Sequence, residues 1–158
     1  LTEYAELHCH SYFSLLDGAS SPEDLAGRAA ELGLRGLALT DHDSLGGAVR
    51  FGIAARRASL HAVIGAEITL VDGVHLTLLA ETPVGYANLC KLITAARMEA
   101  LPDPLSSAPP WPGKVDPALR WERQAAHTAG LVALTGCRRG AVAGPLLRGD
   151  AEAAWSAL

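Results

Sequence analysis

The sequence has little material for disulfide chemistry. Its three cysteines, Cys9, Cys90 and Cys137, are odd in number and far apart. Small secreted frameworks need paired cysteines, so this pattern fits a reducing cytosol, and a cytoplasmic location is expected. Positive charge is also scarce. The 158 residues carry a formal net charge of −4, which excludes a general electrostatic grip on nucleic acid and leaves local spots such as Arg138-Arg139. No apolar run reaches the ~20 residues of a membrane-spanning helix. Leu1-Thr2-Glu3-Tyr4 lacks the basic start and apolar stretch of a signal peptide. No membrane partner is therefore expected. Internal repeats and low-complexity tracts are missing as well. What remains is apolar material, 49% of the chain, enough for a core in one domain or part of one. The chain does not begin with Met, and Ala153 to Leu158 reads as mid-helix. Both features suggest a piece of something longer.

The pattern along the chain alternates strands and helices. Tyr4 to His8 reads as a strand. Ser21-Pro22-Glu23-Asp24 starts a helix, with Ser21 as cap, Pro22 at the first position and Gly33 as stop. Leu37 to Thr40 is a second strand, and a helix over 45–59 carries Val49 and Ile53 on one face. Ala62 to Leu70 and Val74 to Ala80 are strands around an Asp72-Gly73 turn. Thr82-Pro83 opens a helix reaching about Met98, and residues 102–117 hold six of the nine prolines, an irregular loop. Asp116-Pro117 restarts a helix through about His127, Leu131 to Thr135 is a fifth strand, and short helices follow. Such alternation predicts parallel βαβ units in an open sheet or a barrel, with function at the carboxyl ends of the strands.

Metal-ligating residue types fall at those ends. His8 and His10 close the first strand, on one face because i and i+2 share it, while Cys9 points away. Asp41-His42 follows the second strand, Glu67 lies late in the third, and Cys137 follows the fifth. The Asp17 loop can fold back over the same rim. Each group also has a plain reading. A lone His-x-His is weak, Asp41-His42-Asp43 can cap the next helix, Cys137 can fill space, and His75 alone reads as a surface histidine. His61 and His127 read as surface or helix-end residues. Glu67 is harder to dismiss, because a carboxylate in an apolar strand needs a partner. An ideal two-residue turn at Asp72-Gly73 pairs Leu70 with His75 and turns Glu67 away from it. If both bind metal, the hairpin must contain a bulge or an odd-length loop.

His8-Cys9-His10, Thr40-Asp41-His42-Asp43, Gly65-Ala66-Glu67, His75 to Ala80 and Thr135-Gly136-Cys137 occur in the order of the polymerase and histidinol phosphatase (PHP) domain. With the tracts Phe13 to Ser20, Gly85 to Leu89 and Gly130 to Cys137, nearly the whole chain resembles the amino-terminal PHP domain of bacterial DNA polymerase III alpha subunits. The wording around His8 and Asp41 is nearer the error-prone branch. The resemblance implies a distorted seven-stranded α/β barrel, present here in part, with about five of the strands. It also implies that residues 1–158 are a PHP domain truncated before its last metal-binding motif.

The resemblance further implies three ion sites. His8, His10 and Glu67 hold one. Glu67 bridges to a second with His75 and Cys137, and Asp17 with His42 holds a third. Asp41 orients His42 from behind. The family's closing Asp-x-His pair has no counterpart after Cys137. Mixed His and carboxylate ligands suit Zn²⁺ or Mn²⁺, and the Cys137 thiolate favours Zn²⁺. The implied chemistry is phosphoester hydrolysis at a DNA 3′ end, with Arg138 and Arg139 meeting phosphate. The implied partners are the polymerase palm of the same protein and other replication or repair subunits. Two other functions stay open: a docking module whose metal only stabilises it, and a stand-alone phosphatase.

Overall fold

The computed structural model describes residues 4–101 and 116–158. Except for Asp116 and Pro117, the expected proline-rich loop lies outside the described residues. A five-stranded sheet, curled into a half-barrel, runs β1 (Ala5–Cys9), β2 (Gly36–Leu39), β3 (His61–Thr69), β4 (His75–Ala80), β5 (Leu131–Leu134) in spatial as in chain order. The first three strands are parallel, joined through α1 (Pro22–Glu31) and α2 (Ala48–Arg57). The expected parallel arrangement stops there. β4 and β5 each run antiparallel to the preceding strand in the order, because a short hairpin joins β3 to β4 and only antiparallel strands can be joined so briefly.

Local chemistry explains the helix starts. Ser21 accepts from Asp24 N at 3.0 Å, and the Asp24 carboxylate reaches back to Ser21 N, a capping box before Pro22. Gly33, at φ 70°, ends that helix. Thr82 caps α3 (Pro83–Glu99) through Gly85 N at 3.1 Å.

Helices cover one face of the sheet. Ala66, Ile68, Leu70 and Leu78 pack under Leu89, Leu92 and Ala96 of α3. Leu37 and Leu39 pack under Ala26 and Ala29 of α1 and Phe51 and Ala55 of α2. Each fully buried large apolar side chain contributes roughly 1.5–3 kcal/mol. Strand β3 is buried on both faces over 65–68, so the alternate set, Gly65 and Glu67, points to the opposite side from the helices.

Two expected elements differ. The buried face of α2 is Ala48, Phe51 and Ala55, whereas Val49 and Ile53 are 71% and 50% exposed. Phe51 fills the interface, and Val49 and Ile53, two residues to either side of it, lie about 160° away around the helix, on the nearly opposite face. The helix expected from Asp116-Pro117 begins only at Trp121, as α4 (Trp121–Ala125). Leu119 is instead extended and buried, bridging to Leu70 with its N–H donating to Thr69 O at 2.9 Å. Burial of Leu119 against the α3 core overrides the local Asp-Pro start signal. After β5 come α5 (Ala143–Leu147) and α6 (Ala151–Ser156).

Candidate metal centre

Every strand delivers polar groups to one edge. β1 brings His8 and His10, with Cys9 between them packed against the α1–α2 core. Beyond β2 the backbone stays tied to β3: Glu67 N donates to Asp41 O at 3.2 Å and Asp43 N to Glu67 O at 2.9 Å. This bridge sets His42 beside Glu67. β4 runs backwards, so its first residue, His75, lands on the same edge. Cys137 follows β5 on a turn where Gly136 has φ 86°, and a Cβ there would lie 3.1 Å from His75 O.

The hairpin has an odd-length loop. Leu70 N donates to Val74 O at 2.9 Å and Gly73 N to Leu70 O at 2.8 Å, closing the three residues Val71-Asp72-Gly73. Gly73 sits at φ 78°. Thr69 therefore pairs with His75 and Glu67 with Thr77, which puts Glu67 and His75 on one face. Val71 is drawn out of the ladder because its N–H donates to Leu119 O at 3.1 Å.

Glu67 is the hub. Its side chain is 2% exposed. Oε2 contacts His8 Nε2 and lies 3.4 Å from His10 Nε2. Oε1 contacts His75 Nδ1, lies 3.6 Å from Cys137 Sγ and 3.9 Å from His42 Nδ1. Two triads result, His8–His10–Glu67 and His42–Glu67–His75, each with ligand atoms within 4.8 Å of one another. His42 also reaches outward, its Nε2 being 2.7 Å from Asp17 Oδ2. It thus stands between the second triad and Asp17, its ring stacked on that of His10. His75, a surface histidine when read alone, is buried.

Electrostatics match the geometry. Burial pushes the Glu67 pKa up, but hydrogen bonds from His10, His8 and His75 outweigh it and hold the carboxyl well below its ordinary 4.5. The Glu67 hydrogen bond raises His8 above 6.5 against the effect of burial. Asp17 is lowered by its hydrogen bond with His42.

A buried polar layer holds the ligands, and sequence reasoning missed most of it. Asp41 accepts from Ser11 N, Ser11 Oγ and Ser14 Oγ, each at 2.7 Å. Ser14 Oγ in turn accepts from His42 N and meets His10 Nδ1, both at 3.0 Å. Because Ser14 gives its proton to the Asp41 carboxylate, it must accept from His10 Nδ1–H. That leaves Nε2 as the His10 nitrogen that faces Glu67 and His8, the one that would bind an ion once the proton it shares with Glu67 is displaced. Asp41 thus acts on the His10 ring and on the His42 backbone through Ser14. Asp43 does not cap α2, whose start at Gly47 has no side-chain cap. It accepts from Thr69 N and Thr69 Oγ1 at 2.9 and 2.8 Å, while Arg97 donates to Asp43 O at 2.7 Å. Burial raises the Asp43 pKa, and the Thr69 bonds oppose that. The only sequence signal for this layer is the spacing of Ser11 and Ser14 after His10.

His42 and His75 of the second triad line an open cleft of about 600 Å³, together with Phe13 to Asp17 and with Arg97 and Arg139 among others. Arg138 and Arg139 are exposed. Two sets of nitrogen and oxygen atoms around one buried carboxylate, with a ring nitrogen freed by its hydrogen bond, are a donor set that suits a transition metal.

A rim cluster of this kind on a curled α/β sheet defines a class of protein with a candidate metal centre at the strand ends, and the chain belongs to one such family: the PHP domain model matches residues 6–158. Among individual proteins it is 47% identical to the error-prone DNA polymerase of Symbiobacterium thermophilum, over 96% of this chain and 15% of that protein. It is 44% identical to the one of Cutibacterium acnes, over 95% of this chain and 13% of that protein. A 100-residue stretch is 53% identical to that of Dechloromonas aromatica, covering 63% of this chain and 10% of that protein. The chain therefore spans about a seventh or less of these relatives. Among solved structures, a protein provisionally assigned as a metal-dependent phosphoesterase from Bifidobacterium adolescentis superposes with a TM-score of 0.51 at 31% identity, over 63% of this chain and 36% of that one. An amidohydrolase from Chromobacterium violaceum, solved with bound sulfate and no metal, gives 0.51 at 34%, over 60% and 33%.

Proposed function

We propose that this chain is the metal-dependent phosphoesterase part of an error-prone DNA polymerase and acts on phosphoesters at a DNA 3′ end. The observation that carries this reading is the buried Glu67 carboxylate shared by two triads. His8, His10 and Glu67 would hold one ion, Glu67, His75 and Cys137 a second, and Asp17 with His42 a third, with Zn²⁺ or Mn²⁺ as the metal. Such ions supply Lewis acidity that activates water and offsets phosphate charge. The chain's own residues do the rest. Ser14 keeps His10 in its ligating tautomer, Glu67 brings negative charge where cations must gather, and Arg139 faces incoming phosphate across the cleft.

The test is a metal analysis of the purified chain, wild type and Glu67→Gln, with 3′-end hydrolysis in added Zn²⁺ or Mn²⁺. Bound metal and any metal-dependent hydrolysis should both be lost in Glu67→Gln. Metal or hydrolysis that survives the change undiminished rejects the reading.

A further inference from the structure

Leu16 is held in the left-handed backbone region at φ 69° with its side chain fully exposed. Leu15 beside it is 81% exposed. A left-handed backbone costs a residue such as leucine about 1–2 kcal/mol, and glycine or asparagine would relieve it. No burial within the described residues offsets that cost. The loop is also firmly placed. Asp17 N and Gly18 N both donate to Ser14 O, at 3.0 and 2.9 Å, and a Cβ on Gly18 would lie 2.0 Å from Ser11 O. The two leucines therefore form a fixed apolar edge. The next residue, Asp17, touches His42 of the metal centre. Arg97 and Arg139 line the same cleft, whose volume suits a nucleotide-sized ligand.

We propose that Leu15 and Leu16 form an apolar lip that packs against the terminal nucleobase of a nucleic-acid end while its phosphate lies over the triads. The inference rests on the phosphoesterase reading and adds base recognition to it. The face of a base is flat and poorly hydrated, and apolar side chains that press on it favour an unstacked terminal nucleotide over a paired one.

Thymidine 5′-monophosphate and 2-deoxyribose 5-phosphate share sugar and phosphate and differ by the base. Calorimetric titration of both into the Mn²⁺-loaded chain gives a ratio of dissociation constants that reports base contact alone. The expected ratio is about tenfold or more in the wild type. It should fall to within about twofold in Leu16→Gly, which suits the φ of that position, and should also drop in Leu15→Ser. A ratio near one in the wild type overturns the lip, as does a tenfold ratio that persists in both variants. If Mn²⁺ promotes binding of neither ligand, the phosphoesterase reading itself fails.

Discussion

One hydroxyl decides which nitrogen of His10 faces the centre. Ser14→Ala removes the acceptor for His10 Nδ1 and one of three donors to Asp41. The ring then has no fixed tautomer, and Mn²⁺ affinity should fall about 10–100-fold in a direct titration. Unchanged affinity would show that the ring is held by other means. At the same scale, His8 and Glu67 set a pH dependence. In the metal-free chain, the contribution of His8 is complete below its ordinary 6.5 and is lost as pH rises through its raised value. That of Glu67 is complete above 4.5 and is lost as pH falls through its lowered value. An incoming ion must displace the His8 proton, so the melting shift produced by Mn²⁺ should grow from about pH 5.5 to about pH 8. A shift that stays flat over that range would remove His8 from the ligand set.

At the scale of elements, the first turn of α3 lies against the turn before β5. A Cβ on Gly85 would stand 1.7 Å from Gly130 O, so no rotamer can relieve the clash. Gly85→Ala should cost roughly 1–3 kcal/mol or more, seen as a melting temperature lower by several degrees, with residual metal binding retained in the folded fraction. An unshifted melting curve would mean that the helix can move away at little cost. The sequence makes α1 and α3 legible because their caps are local: Ser21 with Asp24, Thr82 with Pro83. It makes the strands legible because each is a short apolar run between turn residues. It does not disclose that Val71 leaves the ladder, since Leu119, which draws it out, is remote in sequence. The same limit applies to α2, where the choice between a Phe51 face and a Val49–Ile53 face depends on what packs above. The candidate ligands could be listed from strand ends and resemblance, but the Asp41–Ser11–Ser14 layer could not. Buried and exposed serines look alike in a single sequence.

At the scale of the whole molecule, the acidic balance of −4 places weight on the few cations that line the cleft, Arg97 and Arg139. Contacts with a nucleic-acid backbone there should weaken with salt. The centre also draws its groups from the full length of the sheet. Glu67 meets His8 across 59 residues and Cys137 across 70 residues in the other direction. This span has a kinetic consequence. Ligands so far apart along the chain come together only after both edges of the sheet have joined β3, and closing such long loops is the slow part of building a sheet. An ion cannot hasten a step that must precede its own site. Saturating Mn²⁺ should therefore leave the refolding rate in stopped-flow experiments nearly unchanged and slow unfolding by the whole of the added stability. The metal would act as a latch on the finished fold, with no part in guiding its assembly.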